Sequence, residues 1–511
     1  MIGKLKKLQN GADIRGIALE NNDKEVNLTA QEIYYIGQGF IKWIKEEQNN
    51  SNQLKIAIGM DSRISGPKLK KTLIESISKT GCFVYDCDIS TTPAMFMATV
   101  LENYECDGAV MITASHLPYY YNGLKFFTKK GGCENEDIKR IIELATYKQT
   151  NEFIRSGKVE KANLIDDYSN YLVKFIRRDV NSKTNYCKPL KGLKIIVDAG
   201  NGSGGFFVDK VLKQLGACTD GSQFLNPDGL FPNHIPNPEN KEAMKSIREA
   251  VIKNNADLGI IFDTDVDRSA IVGDDGLEIN RNSLIALISA IILEDHPNST
   301  IVTDSITSTG LKEFIESKGG VHHRFKRGYK NVINESKRLN YEGIESHLAI
   351  ETSGHAAVKE NYFLDDGAYL ISKILVKMAQ FHEEGRKVTD LISSLKKAKE
   401  SKEVRIGINK NDFKTYGETV ISELEAYVNE VEGWYLSENN YEGIKVFCKE
   451  NRGNGWFLLR ISLHEPLLPL NIESNEIGGI DKIISNLLPY LGKYTDLNID
   501  KLKLNKIDTN N

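Results

Sequence analysis

A multidomain α/β protein is the fold class this sequence predicts, on three observations. Its 511 residues exceed what one hydrophobic core sustains. Short apolar strands alternate with helical stretches along most of the chain. That alternation restarts twice after polar interruptions.

The elements follow in order. Ile33, Tyr34, Ile36, Phe40, Ile41 and Ile44 recur at helical spacing, and Lys55–Gly59 is a short apolar strand. Ser65 to Gly81 reads as a helix opened by Gly66-Pro67, and Cys82–Asp86 as a strand. A helix near Pro93–Tyr104 leads into the strand Gly108–Thr113. After the polar stretch Asn181 to Pro189 come a strand Lys194–Ala199, a helix Gly204–Gly216 and a strand Leu258–Asp263. After His296-Pro297-Asn298 come a strand Ile301–Thr303, a strand His347–Ile350 and a helix Gly367–Gln380. The last part changes character: Phe413–Val431 is helical, and Gly443–Cys448 and Gly455–Ser462 read as paired antiparallel strands. The polar tail after Leu491 has no assignable element.

The expected architecture is three α/β domains with mostly parallel or mixed sheets, at 1–188, 189–298 and 299–405. A smaller C-terminal α+β domain occupies 406–511, all four around a shared central cleft.

Composition narrows the function. A net charge of −4 supplies no basic field for nucleic acid, so phosphate recognition has to come from local groups. No apolar run has the length of a membrane span, and Met1 to Asn10 lacks the apolar core of a secretory signal. The seven cysteines are odd in number and form no CxxC pair, which argues against a disulfide framework or a zinc site and for a reducing, cytoplasmic setting.

Three apolar strands end in loops dense with chemical groups: Gly108–His116, Leu258–Arg268 and His347–His355. Open α/β sheets place ligands at the carboxyl ends of their strands, so these loops are candidate walls of one cleft. In the first, small residues give a tight turn that presents the Ser115 hydroxyl, a weak nucleophile without a base, a metal or prior modification. His116 is adjacent, but sequence neighbours on a turn seldom face each other, and no GxSxG elbow is present. In the second, Asp263, Asp265 and Asp267 at i, i+2, i+4 supply hard oxygen ligands for Mg²⁺ or Ca²⁺. An EF-hand needs glycine where Arg268 stands, and helical rather than strand flanks. Three anions so close repel, a bound cation relieves them, and Arg268 beside them suits a phosphate. A solvated acidic hairpin is the plainer alternative.

Two further stretches bear on function. Gly200 to Gly205 fits GxGxxG between strand and helix, the best argument for an NAD-dependent oxidoreductase, yet Ala217-Cys218-Thr219 is a short, polar candidate for the second strand. Arg460 to Pro466 ends a strand with Arg and Ser donors suited to phosphate.

In this order the stretches resemble the α-D-phosphohexomutase family, from about Gly11 to Glu473. The family's TASHNP serine loop and NG-x-K segment match Thr113–Pro118 and Asn122–Lys125. Its DGDxDR loop matches Asp263–Arg268 with Thr264 for glycine, and its GE-x-SG loop matches Glu351–Gly354 and His355. Its GTDxRG segment looks like Gly11–Gly16, and Pro227–Pro232 with Pro238-Glu239 is also shared. The resemblance implies a phosphohexomutase acting through a phosphoserine at Ser115, with Mg²⁺ on Asp263, Asp265, Asp267 and a phosphoserine oxygen, and a hexose bisphosphate as intermediate and activator. It implies roles for Arg15 and Arg268 in charge neutralisation, for Lys125 in proton exchange and for Lys330 in the active site. Glu351 and Ser353 would hold sugar hydroxyls; Arg460, Ser462 and His464 would hold the non-reacting phosphate. Glucose, mannose and glucosamine phosphates all remain candidate substrates. The four domains would then carry phosphoserine, metal, sugar and phosphate in turn. Leu117 and Leu463-His464 depart from the family's Asn and Asn-Thr, which keeps a non-catalytic sugar-phosphate-binding protein as an alternative.

Overall fold

The computed structural model describes residues 2–21, 24–48, 53–145, 156–462 and 465–503. The chain divides into two compact units: Met1–His296 with Ser336–Ser393, and Pro297–Glu335 with Ser394–Asn511.

The first unit opens with an eight-stranded mixed sheet. Lys55–Met60 lies between Phe83–Ile89 and Gly108–Ile112, parallel to both. Beyond Gly108–Ile112 the direction reverses: Tyr121–Thr128 runs antiparallel to it, and Asp13–Ile17 antiparallel to Tyr121–Thr128. Helices Ala30–Gln48, Gly66–Ser78 and Asn135–Leu144 each bury an apolar stripe, so Ile33, Ile36, Phe40, Leu73, Ile77 and Ile141 join one core with the sheet. The helix expected at Pro93–Tyr104 is shorter, Thr92–Met97, with Thr91 accepting from the Ala94 amide as N-cap.

The second sheet has four strands. Ile195–Asp198 and Leu258–Phe262 are parallel, and Leu258–Phe262 turns back through the aspartate loop into antiparallel Ser269–Gly273. The helix expected over Gly204–Gly216 is irregular instead: a π-helical turn at Val208–Leu212 runs into a 3₁₀ turn ended by left-handed Gly216. Helix Asn282–Asp295 buries Leu284 through Leu293 on all sides, as a helix inside a large core does. Leu348–Ile350, Ala356–Val358 and Leu364–Asp365 form an antiparallel set, followed by helix Gly367–Glu383, whose N-cap Asp366 accepts from the Tyr369 amide and the buried Tyr168 hydroxyl.

In the second unit, Thr300–Thr303 and Val321–Arg324 are parallel. The C-terminal sheet has six antiparallel strands, including the expected Ile444–Cys448/Gly455–Leu459 pair. Helices Phe413–Glu430 and Gly479–Leu491 cover a core centred on Ile406, Val446, Phe457, Leu470 and Leu487. The polar tail contributes an edge strand, Leu497–Asn498, on Gly407–Ile408. Among the described residues no helix is long and apolar enough to cross a membrane. All seven cysteines are free thiols, five of them buried.

One glycine sets the spacing of helix Ala30–Gln48. A methyl on Gly39 would meet the Ile141 carbonyl oxygen at 2.3 Å and the Ala145 amide nitrogen at 2.8 Å, both backbone. Gly39→Ala is therefore expected to destabilise the protein by about 1–3 kcal/mol, read as a lower thermal unfolding midpoint. Gly3→Ala, where an added methyl meets nothing within 4 Å, is expected to leave the midpoint in place.

Candidate active site

The serine loop owes its shape to backbone geometry and to one buried arginine. Ser115 adopts φ 50°, a left-handed conformation uncommon for a non-glycine residue. Its amide donates to the Thr113 hydroxyl oxygen at 2.9 Å. Arg63, 1% exposed, donates to the carbonyls of Leu117 at 2.6 Å, Pro118 at 2.8 Å, Tyr121 at 3.0 Å, and Ser115. Its Nε pairs with Asp61 at 3.2 Å. Burial raises the Asp61 carboxyl to about 6 against the opposing pull of Arg63, and burial lowers Arg63 as well. This arginine escaped sequence reading, although Asp61-Ser62-Arg63 directly follows an apolar strand. Gly123 completes the frame: a methyl there would lie 2.2 Å from the Ile14 carbonyl and 2.8 Å from that of Thr113, so only glycine lets the three strands close. Arg15 reaches the Ala114 carbonyl at 2.8 Å and Asp13 at 3.0 Å.

The aspartate loop Asp263–Arg268 is fully buried. Three of its carbonyls are tied to three separate elements: Thr264 to the Ser203 amide at 2.8 Å, Asp265 to the Thr92 amide at 2.9 Å, and Val266 to the Gly367 amide at 3.1 Å. Val266, a β-branched residue, is held at φ 67°. Such a conformation costs about 1–3 kcal/mol and persists only where surrounding contacts impose it.

These two loops meet. Ser115 Oγ donates to Asp263 Oδ2 at 3.1 Å, and Arg268 Nη2 lies 3.1 Å from both Ser115 Oγ and Asp263 Oδ2. Oxygens of Asp263, Asp265 and Asp267 all lie within 4.8 Å of one another. Lys125 Nζ contacts Asp267 Oδ2 and is 3.5 Å from Asp265 Oδ2. Burial, Asp267 and Asp265 push the Asp263 carboxyl well above the carboxylate range. For Asp267 burial pushes the same way, but Lys125, His355 and Arg268 outweigh it and hold it below that range. Asp263 and Asp267 keep Arg268 charged despite its burial.

Asp265 Oδ1 and Asp267 Oδ1 are buried and accept no hydrogen bond. Buried carboxylate oxygens without a hydrogen bond are costly unless a ligand meets them, and three hard oxygen donors suit a divalent cation such as Mg²⁺. The residues fit a metal site, and the strand flanks, Leu258–Phe262 and Ser269–Gly273, separate it from an EF-hand.

His116 corrects one expectation. Its Nδ1 does face Ser115 Oγ, at 3.3 Å, because the left-handed turn at Ser115 swings the two side chains together. It makes no catalytic base there. Arg268 Nη2 occupies the same nitrogen at 2.7 Å, and among the described residues no carboxylate hydrogen-bonds the ring. Desolvation, Arg268 and Arg15 push its pKa down to about 2.

The Glu351 loop joins the site through His355. Glu351 and His355 pair by a 2.9 Å backbone hydrogen bond, Ser353 Oγ is 3.4 Å from Glu351, and His355 forms an isolated antiparallel bridge with Arg268. His355 Nδ1 lies 2.5 Å from Asp365 and 4.0 Å from Asp267. Burial would lower its pKa, but Asp365 and Asp267 raise it to about 9. His355 and Asp365 were likewise missed as electrostatic partners of the metal loop.

The Gly200–Gly205 turn serves packing. A methyl on Gly202 would meet the Thr264 carbonyl at 2.7 Å, and one on Gly205 the Leu225 carbonyl at 2.1 Å. The backbone approach that a dinucleotide would use is taken by the protein itself.

In the second unit, Arg460 follows strand Gly455–Leu459 and lines a pocket of about 650 Å³ with Lys326, Arg327, Asn331 and Glu442. Its Nε is buried without a hydrogen-bond partner, and burial lowers its pKa. Lys330 stands in the first turn of helix Tyr329–Tyr341, next to the lining residue Asn331. Ser462 Oγ accepts from the Glu465 amide at 3.2 Å. His464 and Leu463 lie outside the described residues.

Three α/β domains, an antiparallel C-terminal sheet and a serine facing buried carboxylates define the phosphohexomutase class. Comparison with known proteins gives the family. Models of phosphoglucomutase/phosphomannomutase α/β/α domains I, II and III match residues 6–152, 166–276 and 280–398. A phosphomannomutase/phosphoglucomutase of Pseudomonas syringae pv. tomato is 30% identical over 473 residues, covering 92% of each chain. A phosphomannomutase of Methanocaldococcus jannaschii is 31% identical over 435 residues, 83% of this chain and 86% of that one. The crystal structure of a phosphoglucomutase/phosphomannomutase family protein from Burkholderia thailandensis superposes with TM-score 0.77 at 25% identity, covering 96% of this chain and 99% of that one. The chain belongs to the phosphoglucomutase/phosphomannomutase family, and is an isomerase of the intramolecular phosphotransferase kind.

The Arg63 clamp generates a prediction. Arg63→Met strips donors from four carbonyls and leaves Asp61 buried without its guanidinium, and is expected to cost about 3–5 kcal/mol. Adding Asp61→Asn is expected to recover part of that loss, because removing both partners is gentler than removing one. Chemical denaturation of the two variants checks this.

Proposed function

We propose that the protein interconverts hexose 1-phosphate and hexose 6-phosphate, with Ser115 as the phosphoryl carrier, Mg²⁺ as the metal, and glucose and mannose phosphates as the principal substrates. The observation that carries this reading is Ser115 Oγ, 3.1 Å from both Asp263 and Arg268, on a strained turn above three buried carboxylates. That arrangement suits a group that holds a phosphoryl between a metal and a guanidinium.

The chemistry balances simply. The P–O bond to Ser115 breaks as a P–O bond to the free sugar hydroxyl forms; the hydroxyl proton passes to Lys125 acting as a neutral amine, and the Ser115 oxygen leaves as an alkoxide beside Arg268. The resulting bisphosphate returns its other phosphoryl to Ser115, and Lys125 gives the proton back to the freed sugar oxygen. Asp263, Asp265 and Asp267 would hold Mg²⁺, which when bound neutralises phosphoryl oxygens. Arg268 and Arg15 add positive charge beside Ser115. Glu351 and Ser353 would orient the sugar hydroxyls, and Lys330 would contribute to the site. Arg460 and Ser462, with His464, would bind the phosphate that is not reacting. The buried, unpaired Arg460 Nε supports that assignment, because guanidinium binds phosphate through paired, charge-assisted hydrogen bonds. A fixed anchor for one phosphate lets the sugar present C1 or C6 in turn. Ser115, the three aspartates and Lys125 are all present and assembled, which favours turnover over a binding-only role.

Intact-mass analysis of purified protein is expected to show a fraction heavier by one phosphate, at Ser115, and Ser115→Ala to lower turnover by orders of magnitude. EDTA is expected to abolish activity and Mg²⁺ to restore it, measured with glucose, mannose and glucosamine 1-phosphates in the presence of the bisphosphate. Unchanged activity after either treatment sinks this mechanism. Arg460→Ala is expected to raise KM for both the 1- and the 6-phosphate, by the roughly 10- to 150-fold that a lost charge-assisted pair of about 1.5–3 kcal/mol represents, while Ser115 phosphorylation persists. Steady-state kinetics in both directions decides it.

A further inference from the structure

Asp265 is held from two sides by a single residue of another sheet domain. The Thr92 amide donates to the Asp265 carbonyl at 2.9 Å, and Thr92 Oγ1 donates to Asp265 Oδ2 at 2.5 Å. Thr92 is 3% exposed and Asp265 not at all. Thr92 is itself fixed, as the first residue of the helix that Thr91 caps. With Oδ2 engaged, Oδ1 is left buried and without a hydrogen bond, as Asp267 Oδ1 is across the cluster.

We infer that Thr92 is a positioning residue for the metal: it fixes the Asp265 carboxylate so that Oδ1 is the oxygen presented to a divalent cation. The inference rests on the metal site proposed above and concerns only this chain's side chains.

The physical reason is a competition. Lys125 Nζ stands 3.5 Å from Asp265 Oδ2 and already contacts Asp267. A carboxylate free to rotate closes on that ammonium, which then rivals the incoming cation for its charge. The Thr92 hydroxyl occupies Oδ2 and opposes the rotation. Groups that orient metal ligands from behind typically contribute 10- to 100-fold in metal affinity. The backbone bond alone cannot do this, since it holds the main chain of Asp265 and leaves its side-chain torsion free.

The test compares Thr92→Val, which keeps the shape and deletes the donor, with Thr92→Ser, which keeps the donor. Mg²⁺ binding to the full-length, metal-stripped protein is read by titration calorimetry, with thermal unfolding of each metal-free variant alongside. Expected are a Kd at least 10-fold weaker for the valine variant and within about 3-fold of wild type for the serine variant. Thr92→Ala replaces valine in the comparison if the valine variant does not fold. Equal or tighter Mg²⁺ binding without the hydroxyl overturns the inference, as does a serine variant as weak as valine. Wild-type protein that binds no Mg²⁺ overturns instead the metal site on which the inference rests.

Discussion

Burying three carboxylates in six residues is the constraint on which the first unit depends. Asp263, Asp265 and Asp267 have no solvent contact, and nothing in their own loop offsets three negative charges except Arg268. Everything around them answers that cost. Lys125 comes from a strand of the first sheet, His355 from the Glu351 loop, Thr92 from the start of helix Thr92–Met97 and Ser115 from the serine loop. Removing a charge from water is expensive unless partners or a metal replace the lost solvation. Partners drawn from distant segments therefore accompany the loop into the interior.

The same constraint explains the backbone. A buried loop has to satisfy its carbonyls, and Thr264, Asp265 and Val266 each hand one to an amide of a different element. Val266 keeps its positive φ within this loop while its own carbonyl is held by the Gly367 amide. Gly202, which has no room for a methyl against Thr264, shows the packing needed to support it. The glycine-rich turn that looks like a nucleotide fingerprint is thus a packing device for the acidic loop.

Much of the site was legible in the sequence because its ligands are local in pattern. The i, i+2, i+4 aspartates sit after an apolar strand, Ser115 ends another, and Lys125 follows the Asn122-Gly123 pair. Strand and helix periods were equally readable, since each reports a burial pattern along a single element. Where the reading stopped, several elements had to be known at once. The Gly204–Gly216 segment begins with Gly204 and Gly205 packed against Phe262 and Leu225 and continues as an irregular turn, and no period along the chain reports either. The tail beyond Leu491 carries few apolar residues, so its edge strand is set by the partner at Gly407–Ile408.

By itself, the sequence determined the α/β class, the order of the functional loops and the residue types able to bind a cation and a phosphoryl group. These follow from composition, period and spacing, which are properties of adjacent residues. Only the tertiary structure decided which partners those groups have. Arg63 spans 52 residues to grip the serine loop, Thr92 spans 173 to hold Asp265, and His116 turns toward Ser115 yet is occupied by Arg268. Such pairings arise from sheet register and loop closure. No spacing along the chain encodes them, because the desolvation that makes them valuable exists only once the segments are packed together.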